Sequence, residues 1–253
     1  MSPMSNWTRC FLAFVACLGL AACDALVHVN ATANVPADYT SVRVTIEEIW
    51  FNKSATAGLD DTTWSRFRFD DARSIELLAL NAGELTRIAT DLDMPAGRYR
   101  QVRLFLADRH DDLHDDAEGA GAEYNNEVRG YDEDGDAQVW PLQVLNPEQG
   151  IGIQIDLEVT EAVVTAGTGT SSAGTVQVAF DAARDLTEFR YGNETAFLLN
   201  ATLAAFDEED AGTIRGTFDL SQLSIGTRTG RPRIQVTAQK LDESLGRHVA
   251  VAS

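Results

Sequence analysis

Apolar and polar residues alternate along much of this chain. The alternation is clearest in Ile151–Val159, where an apolar residue occupies every second position. A period of two buries one face of a β-strand and leaves the other face in water. In residues 42–51 the apolar phase switches near Glu47-Glu48, which predicts a β-bulge. Further strands are predicted at residues 98–106, 175–180, 196–206, 213–220 and 233–238.

Helical periodicity is weak and predicts only short segments, at residues 74–80, 84–90 and 182–189. Many short strands with Gly-, Asp- and Asn-rich connections are typical of all-β proteins. We therefore predict a mostly antiparallel β-sandwich with Greek-key-like connections and one or two short helices. The Gly- and Thr-rich residues 165–175 are predicted to form a flexible loop between strands.

The character of the sequence changes from about Asp210. Residues 212–219 resemble the opening strand of the small β-sandwich modules called carboxypeptidase-regulatory-like domains. Too few residues remain for a complete module of that kind. Residues 207–253 are therefore expected either to complete the main sheet, which we favour, or to form a curtailed second β module.

The N-terminus has the pattern of an export signal. Residues 11–20 are an apolar run of ten, which is too short to span a bilayer. The run leads into Leu20-Ala21-Ala22-Cys23, which resembles the lipobox of bacterial lipoproteins. We interpret residues 1–22 as a lipoprotein signal peptide and Cys23 as the lipidation site. The alternative is an ordinary signal peptide with a chance cysteine.

The resemblance to a lipobox implies an acylated protein in the bacterial cell envelope, with the membrane as a partner through Cys23. Several acyl chains on one cysteine would give stable anchoring. Asp24 resembles an inner-membrane retention signal of enteric bacteria. That rule does not hold in all Gram-negative groups, so the inner and the outer membrane are both kept as alternatives for the location of the anchor. Cys10 and Cys17 would leave with the signal, so the exported part has no disulfide.

The charge of the chain excludes one class of partner. The formal net charge is −19 at pH 7, and Lys53 and Lys240 are the only two lysines. Nucleic acids are bound through cations that neutralise phosphates. A nucleic-acid partner is therefore not expected.

Several blocks of the sequence resemble one family, the domain of unknown function 4382. The most specific block is Pro95-Ala96-Gly97-Arg98-Tyr99, which is similar to the family's Pro-Ala-Gly-x-Tyr strand. The resemblance implies an exported bacterial protein without established catalytic residues, and we assign residues 23–206 to one β-sandwich domain. The chain departs from the family by a long acidic insertion after Leu106. The other matching blocks lie at residues 36–49, 75–80, 141–142, 150–153 and 197–203.

Negative charge is concentrated after Leu106. Residues 108–136 hold twelve acidic residues against Arg109 and Arg129, a net charge of −10. Crowded carboxylates repel one another, and a bound cation would relieve the repulsion. Hard oxygen ligands favour calcium or magnesium, and calcium is our candidate cofactor. The carboxylates of the candidate cation site are Asp111, Asp112, Asp115, Asp116, Asp132, Asp134 and Asp136.

Residues 109–116 read RHDDLHDD and allow three interpretations: a solvated loop, a weak cation site or a catalytic metal centre. On a helix, His110 and His114 would share a face, as in zinc proteases. The glutamate base of those enzymes is missing, however, and aspartates four residues apart would place like charges side by side. We favour the loop, and calcium over zinc if an ion binds.

Residues 131–136 have a similar ambiguity. Laid down from Asp132, a calcium-loop template requires Gly at its sixth position and Glu at its twelfth, where this chain has Ala137 and Gln143. Asp134-Gly135 instead predicts a two-residue hairpin turn. That turn would pair Arg129 with Trp140 and place a cation over the indole ring.

Signatures of nucleophilic, phosphate-binding, dinucleotide-binding and zinc-protease sites do not occur in the sequence. Trp50, Trp64, Trp140 and Tyr191 could line a sugar-binding face, although packing is the commoner use of such residues. We predict a non-enzymatic recognition or adhesion module for a glycan or an envelope protein. The alternatives are a structural envelope lipoprotein without its own ligand and, ranked last, a metal-dependent hydrolase.

Overall fold

A computed structural model describes residues 24–160, 174–191, 194–206, 238–242 and 247–252. Short helical segments are α1 (Asp115–Gly119), α2 (Ala182–Asp185) and two 3₁₀ turns, Leu77–Gly83 and Pro147–Gln149. The strands are β1 (Asp24–Asn34), β2 (Ser41–Asn52), β3 (Ser65–Glu76), β4 (Thr86–Pro95), β5 (Gly97–Leu106), β6 (Glu127–Tyr131), β7 (Ala137–Val144), β8 (Ile151–Val159), β9 (Gly174–Asp181), β10 (Leu186–Tyr191), β11 (Glu194–Leu199), β12 (Ala204–Phe206), β13 (Ala238–Asp242) and β14 (Arg247–Ala252).

Two sheets build the main unit. The smaller sheet has the order β12-β9-β1-β4, and the larger has the order β10-β11-β7-β6-β2-β5-β8 with β3 also paired to β2. The pairings β1·β9 and β11·β7 are parallel, and every other strand pair in the described residues is antiparallel. The predicted all-β, mostly antiparallel sandwich with few short helices is confirmed.

One hydrophobic core joins the inner faces of the two sheets. Val27 and Val29 of β1 lie in the same buried cluster as Val44 and Phe51 of β2. Burying a side chain of this size stabilises the fold by about 1.5–3 kcal/mol. The buried Tyr99 of the Pro-Ala-Gly-x-Tyr block also belongs to this core, with its hydroxyl donating to the Pro95 carbonyl over 2.8 Å.

Strand β2 contains the predicted bulge. Ile46 pairs with Leu106 and Glu48 with Phe105, so Glu47 is an extra residue relative to β5. Along this edge of β2, strand β6 pairs with the first residues and β5 with the last ones. The two strands therefore lie end to end beside β2, and the acidic insertion leaves the sheet between them.

Two helical predictions are wrong. Residues 84–90 were expected to be helical, but Thr86–Pro95 is strand β4. Its buried Ala89 and Leu92 are three residues apart because an irregularity that includes Asp91, at φ +53°, interrupts the alternation, and this spacing imitates a helix. Of residues 182–189, only Ala182–Asp185 is helical, and β10 follows directly.

The chain divides into two compact units between Ala211 and Gly212. In the second unit the structure describes one antiparallel pair, β13 with β14. Both alternatives for residues 207–253 stay predictions. The signal peptide, Cys23, most of the 165–175 loop, the strand predicted at 213–220 and all but Ala238 of the strand predicted at 233–238 lie outside the described residues.

Candidate functional site

The acidic insertion, residues 107–126, is joined to the sheet by a side-chain amide. Asn126 accepts a hydrogen bond from the Thr45 backbone N–H through Oδ1 at 2.8 Å and donates to the Ala107 carbonyl through Nδ2 at 2.6 Å. The Thr45 hydroxyl donates to the Asn125 carbonyl at 2.5 Å. These bonds satisfy buried backbone groups in the gap between β5 and β6.

The outer part of the insertion is also held by specific bonds. The Asn125 side chain accepts from the His114 N–H at 2.8 Å and donates to the Asp112 carbonyl at 3.0 Å. The Asp116 carboxylate accepts from the Ser74 N–H of β3 at 2.7 Å. The insertion therefore has an ordered structure that packs on the sheet, and its own Ala117 and Ala122 are buried.

Glu127 is the central buried charge of this region. Its side chain is fully buried, and its carboxylate accepts from the Glu123 and Tyr124 N–H groups at 2.7 and 3.2 Å. Arg129 Nε donates to the same carboxylate at 2.6 Å, and its other guanidinium nitrogen donates to the Gly121 carbonyl at 2.5 Å. The pair thus ties the end of the insertion, including Tyr124, to strand β6.

The two histidines of RHDDLHDD do not form a pair. Nε2 of His114 lies 2.9 Å from Oε1 of Glu47, the bulged residue of β2. Nε2 of His110 accepts from Nε of Arg109 at 3.1 Å. The helical turn α1 begins only after His114, so residues 109–114 of the motif form a loop, as we favoured, whereas Asp115 and Asp116 are helical.

The predicted cation ligands divide between two places. Asp111 accepts from the Asp108 N–H at 2.7 Å within the insertion, whereas Asp132 is in the β6–β7 loop. Asp112, Asp115, Asp134 and Asp136 are exposed, as are Asp111 and Asp116. Within the described part of the chain, no group of three His, Cys, Asp or Glu side chains is placed to hold a metal ion. Calcium binding stays a prediction.

Strands β6 and β7 form the expected hairpin, but its register is shifted. Arg129 pairs with Val139, so the predicted pairing of Arg129 with Trp140 is wrong by one residue. The connection has five residues, 132–136, instead of a two-residue turn.

Asp132 explains the longer loop. Its Oδ1 accepts from the backbone N–H groups of Asp134 and Asp136 at 3.0 and 2.9 Å. Its Oδ2 accepts from the Gln138 amide at 2.8 Å, and Gly135 supplies the left-handed conformation at φ +87°. The Asp136 N–H and the Gln138 amide are the main causes that lower the pKa of Asp132 below its ordinary value of 3.8.

Asp132→Ala should therefore lower the free energy of unfolding by an amount that depends on pH. A carboxyl whose pKa is lower in the folded state stabilises the fold above its unfolded pKa, and this contribution is lost as the pH falls through the folded pKa. We expect the free-energy difference from wild type to be constant between about pH 5.5 and 7 and to shrink below about pH 4. Urea denaturation across this range measures it. Asp134→Ala is the control, because it changes an exposed side chain of the same loop and keeps the backbone N–H that bonds Asp132.

An open groove of about 740 Å³ lies beside this hairpin. The insertion, the hairpin and strands β10 and β11 all contribute to it. Its lining residues are Arg109, Tyr124, Asp132, Gln138, Trp140, Pro141, Gln143, Phe189, Thr195 and Ala196.

Three aromatic rings line this groove. Tyr124 and Phe189 are 40% and 37% exposed, and they belong to the few large hydrophobic side chains that are open to solvent in the described residues. Trp140 is half-buried and packs at 5.4 Å, centroid to centroid, on Phe197 of the core. The core thus supports the Trp140 ring from below.

The polar lining has free hydrogen-bonding capacity. The side chains of Gln143 and Thr195 make no hydrogen bond within the described residues. The charged lining consists of one cation, Arg109, and one anion, Asp132. The sequence indicated Trp140 as a candidate but not Tyr124 or Phe189. Tyr124 lies in the acidic insertion, whose pattern does not indicate which side chains are exposed. Phe189 lies in a segment that was wrongly predicted to be helical.

Trp50 and Trp64 have a packing role. The Trp50 ring lies 4.3 Å from Phe105 and 5.8 Å from Trp64, centroid to centroid, and the Arg66 guanidinium lies 4.0 Å over it. Trp64 is 7% exposed. These rings cover the outer face of the larger sheet, while the Tyr191 side chain is outside the described part.

A smaller cavity of about 350 Å³ lies beside Trp50 and Phe105 and has an acidic lining. Two of its carboxylates are already engaged. Glu47 contacts His114, and Glu48 accepts from the Trp50 indole N–H at 2.7 Å. The larger groove is therefore the better candidate for a binding site.

These features define an all-β sandwich with an ordered acidic insertion and a groove lined by aromatic and polar side chains. The chain belongs to the family described as Domain of unknown function (DUF4382), whose match covers residues 24–201. The resemblance stated from the sequence blocks is thereby confirmed. No curated protein and no solved structure matches this chain. Among the described residues, no helix is long and apolar enough to cross a bilayer.

Proposed function

We propose that this chain is a lipid-anchored protein of the bacterial cell envelope and that its sandwich is a non-catalytic module that binds a neutral glycan. The observation that carries the proposal is the groove, in which Trp140, Phe189 and Tyr124 surround polar side chains. Small-ligand sites commonly combine apolar and aromatic walls with a few convergent polar groups.

The chemistry of the lining suits a sugar. The apolar C–H face of a pyranose packs on an aromatic ring, and its hydroxyl groups need donors and acceptors at the rim. Gln143 and Thr195 provide such groups in the lining of the groove that also contains Trp140. One cation and one anion leave the lining without net formal charge, although the whole chain carries −19. A neutral ligand therefore fits this groove better than a charged one.

The hydrogen bonds that the Asp132 carboxylate accepts favour a binding role of the groove over a catalytic one. Its carboxylate holds the hairpin loop through two backbone N–H groups and the Gln138 amide, and these bonds lower its pKa. A general acid needs a pKa near the working pH. The only carboxylate of the lining is thus unsuited to proton transfer at neutral pH.

Phe189→Ala and Tyr124→Ala should each weaken glycan binding by about tenfold, since losing a stacked ring removes roughly 1.4 kcal/mol. A glycan array with the soluble Cys23→Ser protein identifies the ligand, and calorimetric titration measures its affinity. Both rings are exposed, so folding should be unaffected. Tyr131→Ala is the matched control, because Tyr131 is 64% exposed but outside the groove lining.

Three outcomes would contradict the proposal. The first is an array without any bound glycan. The second is equal loss of affinity in Tyr131→Ala and Phe189→Ala. The third is capture of an envelope protein by the groove with no glycan bound, which would favour the protein-partner version of a recognition module.

A further inference from the structure

The first strand begins at the residue after the lipidation site. Strand β1 starts at Asp24, and Asp24 pairs with Pro95 of β4. Neighbouring Cα atoms are about 3.8 Å apart, so an acylated Cys23 would have almost no linker to the sheet. A protein attached in this way cannot turn freely above the lipid surface.

The strand pairings show which end of the sandwich lies at that point. Two residues after Pro95, Gly97 pairs with Val159 of β8. Lys53, directly after β2, donates from Nζ to the Ala96 carbonyl at 2.8 Å. We call this region, formed by residues 24, 53, 95–97 and 159, the anchor end.

The groove belongs to the opposite end, which we call the distal end. Strand β2 runs from Asn52, paired with Gln101 near the anchor end, back to Ser41, paired with Arg129. Its 12 residues extend over about 40 Å at the usual rise per residue. The hairpin loop 132–136 lies beyond Arg129 on β6, and Trp140 pairs with Val128 in the same region.

From this geometry we propose that the anchor end faces the lipid headgroups and that the sandwich stands upright, with the groove facing away from the membrane and the acidic insertion beside the distal half of β2. The inference rests on the lipid anchor of the proposed function. The anchor end is then a second interaction surface of the protein, and its partner is the membrane that holds the acyl chains.

Charge favours the upright orientation. Residues 108–136 carry a net −10, and a tilt that brought them to an anionic lipid surface would be opposed by repulsion. In the upright orientation the hairpin loop 132–136, beyond the far end of the 12-residue β2, is separated from the headgroups by several times the Debye length of about 8 Å. At the anchor end, Arg98 and Arg100 pair with Asp156, and Lys53 is exposed. That end therefore meets the lipid with mixed charges.

Single cysteines can test the orientation, because Cys23 is the only cysteine after residue 22 and acylation would block its thiol. Ser54→Cys, exposed beside Lys53, labels the anchor end, and Asp134→Cys, exposed in the hairpin loop, labels the distal end. The acylated proteins are reconstituted in anionic vesicles and labelled with a membrane-impermeant fluorescent maleimide. Lipids with nitroxide headgroups then act as quenchers.

We expect the label at Ser54→Cys to lose most of its fluorescence and the label at Asp134→Cys to lose almost none. Equal quenching at both positions, in protein that floats with the vesicles, would overturn the upright orientation and leave the anchor intact. Failure to float would overturn the anchor itself and the orientation with it. Glycan titration of the same two variants reports on the groove separately.

Discussion

Cys23→Ser should move this protein from the membrane fraction to the soluble fraction. A serine hydroxyl cannot form the thioether that carries the diacylglyceryl group. Each acyl methylene buried in the bilayer contributes about 0.8 kcal/mol, so the loss of several chains removes the anchor completely. Detergent phase partition and mass spectrometry of the N-terminal peptide measure the change.

Cys17→Ser is the matched control for this prediction. Cys17 lies in the apolar run of the proposed signal peptide, and its replacement should leave acylation and membrane location unchanged. Retention of the Cys23→Ser protein in membranes after washing at high salt would argue against lipidation. The same result in Cys17→Ser is expected and shows that the fractionation works.

Glu127→Ala should destabilise the main unit by about 2–4 kcal/mol, because it removes a fully buried carboxylate that accepts from two backbone N–H groups and from the partly exposed Arg129. The change would leave the Arg129 guanidinium and the Glu123 and Tyr124 N–H groups without their acceptor. The insertion should then be cleaved faster by protease. Urea denaturation measures the first effect, and limited proteolysis near Tyr124 measures the second.

Two variants make this prediction specific. Glu127→Gln keeps an acceptor oxygen at the same position and should cost less than Glu127→Ala. Glu123→Ala removes an exposed carboxylate of the same insertion but keeps the backbone N–H, so it should change stability by less than about 0.5 kcal/mol. A similarly small loss of stability for Glu127→Ala would mean that the Glu127 carboxylate does not hold the insertion in place.

Sequence reasoning succeeded where one face of a strand is buried. Ile151–Val159 alternates without interruption, and it is strand β8 with the same bounds. The bulge in β2 could also be predicted, because the apolar phase changes on either side of Glu47. In both cases the pattern is local, and the period of two is a direct consequence of strand geometry.

Local patterns failed where a distant segment decides the structure. Strand β4 looked helical because the bulge at Asp91 changes its spacing, and it is held as a strand by antiparallel pairing with β1. The hairpin loop was predicted one register step wrong because a side chain, Asp132, replaces the backbone bonds of a tight turn. Turn propensity does not contain this competition between side-chain and backbone acceptors.

The sequence by itself determined the family, the all-β class and the concentration of acidic residues after Leu106, because each of these depends on residues near one another in the chain. Only the tertiary structure decided how those residues are used. It commits Asp132 and Glu127 to holding the loop and the insertion. It also brings Tyr124, Trp140 and Phe189 to one groove. Their separation along the chain is spanned by strand pairings such as the parallel β11·β7 contact, which no local periodicity records.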